Sequence, residues 1–347
     1  MDRSKIIAVG LISGGLDSTL AACLLKEQGL QVLGLNFSTG FCKTDARRAL
    51  NRPGEDPRRL RHEGLRAGAD AEIAVEVVDI ARDYLQMVLH PKHGYGKVMN
   101  PCIDCRIFML QRAKTYMEEV GGHFLFTGEV LGQRPMSQHS RALELIAKEV
   151  GLEGMLLRPL SARAMEPTIP EKKGWVDRSL LGDITGRSRK SQIQLAERFG
   201  VVEYPQPSGG CCMLTDQNFG RRFADLLDHT EPENVNIEDL VFLKVGRHLR
   251  LSSEVKVVVA RDEVECNFLE RYRNSGWAAE ALDCSSPLAL VEGEPDEKQK
   301  SLIAAVTARY SSGRNRQQVR VRLSRQGQEE VFEVAPASEA ECRRMLI

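Results

Sequence analysis

Two groups of residues in this 347-residue chain have the types and the spacing to do chemistry. The first is the segment SGGLDS at residues 13–18, which combines two glycines with hydroxyl side chains and one carboxylate. The second is a set of four cysteines, the CxxC pair Cys102 and Cys105 and the adjacent pair Cys211 and Cys212. A glycine turn with hydroxyl groups is typical of phosphate binding, and clustered thiols are typical of metal or sulfur chemistry.

The elements around residues 13–18 indicate how such a turn would be held. A continuous apolar run at 6–12 precedes the turn, a helical pattern at 18–28 follows it, and 31–37 predicts a second strand. Glycines let backbone N–H groups approach an anion, and the helix start adds unpaired donors and the positive end of its dipole. The βαβ unit predicts a doubly wound parallel α/β sheet of the Rossmann-like kind.

The four clustered cysteines leave four interpretations open. They are a structural zinc site, a redox pair or persulfide carrier, an iron–sulfur cluster held by three cysteines, and buried thiols without a ligand. Zinc is disfavoured because the adjacent Cys211 and Cys212 are poorly placed to bind one ion. The other five cysteines stand alone and are predicted to be small buried fillers: Cys23, Cys42, Cys266, Cys284 and Cys342.

The segment at 13–18, after an N-terminal apolar strand, resembles the phosphate loop of the ATP pyrophosphatase (PP-loop) superfamily, and no Walker pattern is present. The resemblance implies that ATP is cleaved between its α and β phosphates and that AMP passes to a substrate oxygen. It implies that the pyrophosphate and Mg²⁺ are held by Ser13, Gly14, Gly15, Asp17 and Ser18. It further places adenine beside Asn36 and Phe37 at the end of the second strand. Gly128, at the end of another strand, is also expected to contact the nucleotide.

The PP-loop together with NPCIDC at 100–105 and later cysteines resembles the tRNA thiolation enzymes, over residues 5–230. The resemblance implies that a base carbonyl of tRNA is adenylated and that sulfur replaces its oxygen. It assigns catalytic roles to Asp17, Cys102, Cys105 and Cys211, with sulfide or a persulfide-carrying protein as sulfur donor. In cluster-dependent members, the ligands of a [4Fe–4S] cluster would be Cys102, Cys105 and either Cys211 or Cys212.

The pattern changes after a polar break at 231–234, which predicts a separate, smaller α+β module. The module is predicted to have a helix at 298–310 and strands at 241–245, 249–251, 255–260, 319–323 and 331–334. Residues 238–292 resemble the RNA-binding module of the NFACT proteins. Six arginines between Arg309 and Arg325 have no acid among them, and Arg320 and Arg322 predict either a basic strand face for RNA or an ordinary solvated strand.

These patterns predict three segments: a PP-loop domain at 1–165, a continuation or linker with the second cysteine motif at 166–234, and the α+β module at 235–347. Composition supports a globular protein, since 42% of residues are hydrophobic and 28% are charged. The 48 basic and 48 acidic side chains balance, which argues against one dominant nucleic-acid field but permits local basic patches.

Neither a membrane span nor a signal peptide is recognisable, so we expect a cytoplasmic protein of open oligomeric state. Besides tRNA thiolation, two functions stay open. One is a PP-loop ligase or amidating enzyme that acts on a small molecule and contains structural zinc. The other is a nucleotide-dependent RNA-binding adaptor.

Overall fold

The computed structural model describes residues 2–50, 52–56, 61–204 and 212–347. The chain divides into two compact units, one of residues 1–44 with 57–212 and the other of residues 45–56 with 213–347. In the described ranges, none of the helices has the length and apolar character that a membrane span requires.

The first unit is built on a five-stranded sheet with the order β3-β2-β1-β4-β5. Its strands are β1 (Ile7–Leu11), β2 (Gln31–Ser38), β3 (Ala74–Asp79), β4 (Phe124–Thr127) and β5 (Leu156–Leu157). The central strand β1 pairs in parallel with β2 and β4, and the outer pairs are parallel as well. The doubly wound parallel sheet predicted from the sequence is therefore confirmed.

Helices cover both faces of this sheet. The helices of this unit are α1 (Leu16–Glu27), α3 (Glu63–Ala71), α4 (Ala81–Leu89), α5 (Cys102–Glu119), α6 (Ser140–Val150), α7 (Ile169–Lys172) and α8 (Lys190–Phe199), whereas most of α2 (Lys43–Leu50) belongs to the second unit. Neighbouring residues of β1 point to opposite sides, so Ala8 joins an apolar cluster with α1 and Val9 joins another beneath α5. All the parallel strands end at one edge, where the loops of the candidate site lie.

The second unit contains a six-stranded antiparallel sheet with the order β11-β10-β8-β9-β7-β6. Its strands are β6 (Arg247–Arg250), β7 (Lys256–Val259), β8 (Trp277–Ala281), β9 (Ala289–Glu292), β10 (Val319–Arg325) and β11 (Gln328–Val334). Its helices are α9 (Gln217–His229), α10 (Ile237–Leu243), α11 (Glu263–Glu270), α12 (Glu297–Tyr310) and α13 (Glu339–Met345). The predicted α+β module is confirmed.

The predicted strand at 241–245 is wrong, because these residues form the end of α10 and the turn after it. Asn236 caps this helix: its side chain accepts hydrogen bonds from the backbone of Glu238 and Asp239, and Asp239 accepts from the Asn236 N–H in return. Leu240 and Leu243 are buried on one side of the helix. The capping box therefore starts a helix whose apolar end resembled a strand.

Candidate active site

The phosphate loop joins the end of β1 to the first turn of α1. Gly14 has a φ of +82°, and a Cβ there would lie 2.3 Å from the Cβ of Glu63, so only glycine fits. Gly15 occupies the N-cap position of α1 and has no side chain with which to cap the helix. The N–H groups of the first turn are thus left for a ligand at the positive end of the helix dipole.

Hydroxyl groups and one arginine hold this loop in shape. Ser18 Oγ and Thr19 Oγ1 donate to the carbonyl of Gly15 at 2.9 and 3.1 Å, and Ser18 Oγ lies 3.3 Å from Ser13 Oγ. Arg66, nearly buried on α3, donates to the carbonyl of Gly14 at 2.8 Å. Ser18 is therefore an internal support of the loop, while the exposed Ser13 hydroxyl faces the space in front of it.

Asp17 presents one carboxylate oxygen to this space. Gln133 Nε2 donates to Asp17 Oδ2 at 3.1 Å, whereas Asp17 Oδ1 is buried and has no hydrogen-bond partner among the described residues. Burial raises the pKa of Asp17, and the Gln133 hydrogen bond and the charges of Arg189 and Arg134 oppose that rise. A buried, unpaired carboxylate oxygen suits Mg²⁺, which binds through one or two carboxylates together with phosphate oxygens.

Two loops bring basic and amide groups to Asp17. Leu131 pairs with Thr185 in a parallel bridge, and Gly186 N donates to Leu131 O at 2.7 Å, so the loop after β4 and the loop before α8 run side by side. Within the described chain, Arg189 Nε and the Gln192 amide are also buried without partners. Unpaired polar atoms gathered around Asp17 indicate a site for a polar ligand. The sequence analysis assigned no site role to Gln133 or Arg134.

Gly128 lies directly against the phosphate loop. A Cβ at this position would be 2.4 Å from the backbone N of Ser18, so β4 and α1 approach each other only because the residue is glycine. Asn36 donates to the carbonyl of Ile12 at 2.6 Å, close to the same loop. Phe37 points to the other face of β2 and packs on the apolar cluster beneath α5. Gly128 and Asn36 thus adjoin the loop, whereas the ring of Phe37 belongs to the core.

A buried carboxylate connects the Gly128 loop to the CxxC helix. Glu129 Oε2 accepts from Thr127 Oγ1 at 3.1 Å and from Arg158 Nε at 3.2 Å. Its other oxygen lies 3.4 Å from Nε of Arg106, which directly follows Cys105 on α5. Glu129 therefore fixes the start of α5 relative to the strand ends that carry the nucleotide loop.

The first cysteine pair lies in the first turn of α5, which begins at Cys102. Buried Asn100 donates from Nδ2 to Cys102 Sγ at 3.1 Å and lies 3.3 Å from Met136 Sδ. Asp104 accepts hydrogen bonds from the backbone N–H groups of Lys92 and His93, each at 3.0 Å. The loop before α5 and the loop after β4 therefore hold the Cys102 sulfur in a fixed place.

Tyr84 of α4 lies among the predicted cysteines. Burial raises its pKa well above the usual value, and the charges of Cys105, Cys212 and Cys102 add to that rise. The Tyr84 hydroxyl is hydrogen-bonded to Cys105, and its ring contacts Phe41 and Phe108. The structure thus brings the CxxC pair and the distant Cys212 around one buried hydroxyl group. The sequence analysis did not identify Tyr84 as part of the site.

Cys42 joins this group, so the prediction that it is an isolated filler is wrong. Its backbone forms an antiparallel bridge with that of Cys212, and both side chains are half-buried. Cys23 and Cys342 are buried, as predicted. Cys211 lies outside the described residues.

The cysteines do not provide a recognisable metal site. Among the residues that the structure describes, no three or more His, Cys, Asp or Glu side chains are arranged to hold a metal ion. A [4Fe–4S] cluster with one open iron needs three cysteine ligands. Cys102, Cys105 and Cys212 do not form such a ligand set in the described structure, and Cys211, the alternative third ligand, lies outside the described residues.

The predicted basic strand face in the second unit is largely neutralised. Arg322 pairs with Glu280 and Glu329, and Arg320 lies opposite Glu333 in the ladder between β10 and β11. Three of the four other arginines of the series also have acidic partners, namely Arg309 with Glu339, Arg316 with Asp283 and Arg325 with Glu294. Of the two interpretations of this strand, the structure supports the ordinary solvated one.

The first unit is a doubly wound α/β domain with a glycine-rich loop at the end of β1, as expected from the resemblance to PP-loop domains. Comparison with known families agrees: residues 4–169 match the family described as thiamine biosynthesis protein (ThiI), and residues 246–345 match the NFACT protein RNA binding domain. The chain thus contains a ThiI-like PP-loop domain followed by a domain of the NFACT type.

Curated relatives include two proteins named tRNA-specific 2-thiouridylase MnmA. The one from Syntrophotalea carbinolica is 32% identical over 131 residues, which are 37% of this chain and 35% of the relative. The one from Methylobacterium nodulans is 24% identical over 255 residues, 71% of this chain and 61% of the relative. The matches thus span between 35% and 61% of the length of these relatives.

Among solved structures, a 4-thiouridine synthetase–RNA complex with bound ATP is similar to this chain at 20% identity. The match covers 56% of this chain and 51% of the other, with a TM-score of 0.32. A likeness at this level supports no argument about fold or function.

Proposed function

We propose that this protein is an ATP-dependent tRNA sulfurtransferase that replaces a carbonyl oxygen of a uridine base with sulfur. The observation that carries the proposal is the occurrence, in one unit, of a phosphate loop with a buried, unpaired Asp17 oxygen and of three cysteines around Tyr84. The match to the ThiI family and the two MnmA relatives support the same activity.

The first step is activation of the base by ATP. Backbone N–H groups of residues 13–18 would hold the phosphates of ATP, and Asp17 Oδ1 would bind a Mg²⁺ ion that neutralises their charge. The base oxygen attacks the α phosphorus, the bond to the β phosphate breaks, and pyrophosphate leaves. Arg134 and Arg189 place positive charge near Asp17, where negative charge builds up in the transition state. Activation is needed because a urea-like carbonyl oxygen is a poor leaving group.

The second step replaces the activated oxygen by sulfur. We assign Cys105, which is hydrogen-bonded to Tyr84, and Cys212, which comes to the same tyrosine from a distant part of the sequence, as the reacting pair. A persulfide-carrying donor passes its outer sulfur to one of them and leaves as a thiol. That sulfur attacks the activated carbon and AMP departs, so that the base is joined to the enzyme through a disulfide bond.

The remaining thiol completes the reaction. It attacks the enzyme sulfur of that bond, releases the base with its new carbon–sulfur double bond and leaves a disulfide between Cys105 and Cys212. A dithiol reductant supplies two electrons and restores both thiols. Cys102, held by Asn100, lies beside this pair and takes no part in the two steps.

A [4Fe–4S] cluster on Cys102, Cys105 and either Cys211 or Cys212 is the competing source of reactive sulfur. Iron, zinc and acid-labile sulfide measured on anaerobically purified protein separate the two chemistries. The persulfide route predicts substoichiometric metal, whereas iron and sulfide at about four per chain would establish a cluster.

The proposed function is tested with the full chain, ATP, Mg²⁺, a cysteine desulfurase charged with ³⁵S-cysteine, and tRNA from a strain that lacks thiolated uridines. We expect AMP, pyrophosphate and ³⁵S-thiouridine in the tRNA. Asp17→Ala should abolish all three products. Cys105→Ser should abolish the thiouridine and retain pyrophosphate release. AMP release by Asp17→Ala at the wild-type rate would contradict the assignment.

A further inference from the structure

A second polar cavity, in the second unit, is separate from the candidate active site. It has a volume of about 500 Å³ and lies between α9, β6, the end of β7, the end of α12, and α13. Six arginines line it, namely Arg221, Arg222, Arg247, Arg261, Arg309 and Arg343. Glu339 is the one acidic side chain among its described lining residues, and Arg309 and Arg343 already pair with it. The cavity is therefore strongly positive.

Arg222 is the most buried of these cations. Its two terminal nitrogens donate to the carbonyls of Leu243 and Gly246 at 3.0 and 3.1 Å, while its Nε is buried without a partner in the described chain. Burial and the neighbouring charge of Arg261 lower the pKa of Arg222 to about 10. Glu265 and Asp216 oppose this shift, but neither forms an ion pair with Arg222 in the described chain. A largely buried guanidinium without an ion-pair partner is costly, and an anion in the cavity would offset that cost.

Two further arginines are held in fixed orientations. The Arg247 guanidinium lies over the ring of Tyr310 at 4.9 Å and donates to the Ala260 carbonyl at 3.4 Å. Arg261 is held by the fully buried carboxylate of Glu265, which also accepts from the Gly246 N–H at 3.1 Å. Because the side chains are already ordered, a bound anion would not have to pay for ordering them.

The positive charge of the cavity is only partly neutralised by carboxylates of the protein itself. Arg221, Arg222 and Arg247 have no carboxylate within ion-pair distance among the residues that the structure describes, in contrast to the arginines of β10. These three arginines come from two separate elements, α9 and β6. The pocket therefore could not be predicted from a run of basic residues in the sequence.

We propose that this arginine pocket binds a phosphate group. Guanidinium groups match phosphate oxygens in both charge and geometry. The volume falls in the range of roughly 300–1,000 Å³ of ligand sites, which leaves room for a nucleotide around the phosphate. The phosphate comes from RNA bound by this module, an assignment of source that rests on the proposed function, or from a free nucleotide or phosphate ion.

The test uses the full chain and a fluorescein-labelled 12-nucleotide RNA, made with either a 5′-phosphate or a 5′-hydroxyl. Affinity is measured by fluorescence anisotropy at one fixed salt concentration. The variant Arg221→Ala/Arg247→Ala is compared with Arg314→Ala/Arg320→Ala, which removes the same charge outside the pocket. We expect the pocket variant to bind about tenfold more weakly or worse, and the control variant to change by less than about twofold. Thermal melting verifies that both variants fold.

Competition identifies the source of the phosphate. If the pocket variant loses affinity equally for both RNAs and AMP does not compete, the bound group is an internal phosphodiester. If it loses affinity only for the 5′-phosphorylated RNA, the bound group is the phosphate at the strand end. If neither RNA responds but inorganic phosphate or AMP raises the melting temperature of the control variant alone, the ligand is the free anion. Identical behaviour of the pocket and control variants toward both RNAs, phosphate and AMP would overturn the proposal.

This outcome is separable from the proposed function, because binding requires neither ATP cleavage nor thiols. Asp17→Ala should bind the RNA through the pocket with wild-type affinity. If the wild-type protein forms no thiouridine but binds RNA through the pocket, only the proposed function is refuted. If it forms thiouridine but the pocket variant binds RNA like the control variant, only the pocket proposal is refuted.

Discussion

Gln133 Nε2 donates a hydrogen bond to Asp17 Oδ2 at 3.1 Å, across 116 residues of sequence. The bond occupies one oxygen of the carboxylate and leaves Oδ1 unpaired within the described structure. Gln133 therefore orients Asp17, and the loop after β4 becomes part of the phosphate site. The hydrogen bond from Gln133, together with a cation bound at Oδ1, would keep this buried carboxylate ionised beside phosphates.

Asp17→Asn should abolish AMP release and yet stabilise the protein at neutral pH. The pKa of Asp17 is raised in the folded state, chiefly by burial, so the charged form costs stability once the pH exceeds that pKa. The asparagine removes this cost, and the gain should disappear as the pH falls towards 3.8, the ordinary value for aspartate. Melting temperatures measured across this range test the sign. The exposed Asp183→Asn is the control, and a melting temperature of Asp17→Asn at or below that of the wild type at neutral pH would contradict it.

Gln133→Ala should shift the acidic limb of the pH profile of AMP release to higher pH. The hydrogen bond from Gln133 lowers the pKa of Asp17, so its loss lets that pKa rise further, and more alkaline conditions are needed to ionise the carboxyl group. The maximal rate at high pH should be largely retained. The exposed Gln111→Ala should leave the profile in place, and an unshifted profile in Gln133→Ala would show that Asp17 does not control the rate.

Gly128→Ala should displace the phosphate loop. The added methyl group would lie 2.4 Å from the backbone N of Ser18, which cannot move without distorting the start of α1. We expect a loss of about 1–3 kcal/mol in the free energy of unfolding, measured by urea titration, and loss of ATP binding. Gly15→Ala is a suitable contrast, since its Cβ would have 3.4 Å to the nearest atom and should leave stability nearly unchanged.

The sequence predicted the parts of the site that are contiguous. The loop at 13–18 carries its own strand, turn and helix signals, and Gly128 stands at a strand end, where parallel sheets bind ligands. Gln133, Tyr84 and Cys42 could not be predicted in the same way, because each reaches the site only through tertiary pairing. The bridge between Cys42 and Cys212 joins residues 170 positions apart, and no local pattern marks it.

The same physics explains the errors in the second unit. The apolar run at 241–245 fits a strand or the end of a helix, and only the Asn236 capping box decides between them. The arginines of β10 resembled a basic face because their acidic partners lie on β8 and β11, outside the local sequence. The strand order brings those partners next to β10, whereas the separate arginine pocket forms where α9, α12 and α13 meet β6.

Tyr84→Phe should impair sulfur transfer while leaving AMP formation intact. The change removes the hydroxyl that bonds Cys105 and keeps the ring that packs on Phe41 and Phe108. We expect the rate of ³⁵S incorporation to fall by about tenfold, which is the effect of losing one hydrogen bond to a charged group. Cys284→Ala, in the second unit, is the thiol control. Equal losses of AMP formation and sulfur incorporation in Tyr84→Phe would assign the tyrosine a merely structural role.

The second unit should lose stability as the pH falls below about 6.5, because of His248. Burial and the charges of Arg222 and Lys256 keep the pKa of this histidine well below 6.5, so the imidazole stays neutral when folded. The unfolded chain takes up the proton instead, which favours unfolding at acidic pH. Urea unfolding of the full chain in a Trp175→Phe background, followed by Trp277 fluorescence, reports on this unit. In His248→Gln the pH dependence between about 7 and 5 should flatten, and an unchanged slope would rule out this histidine as the cause.

The central claim is tested most directly by counting products in one reaction with tRNA, ATP and the ³⁵S donor. The account predicts one AMP and one pyrophosphate for each ³⁵S-thiouridine formed, with no ADP. It also predicts that Cys105→Ser still releases pyrophosphate in a single turnover. Formation of ADP and phosphate, or thiouridine without AMP, would contradict it.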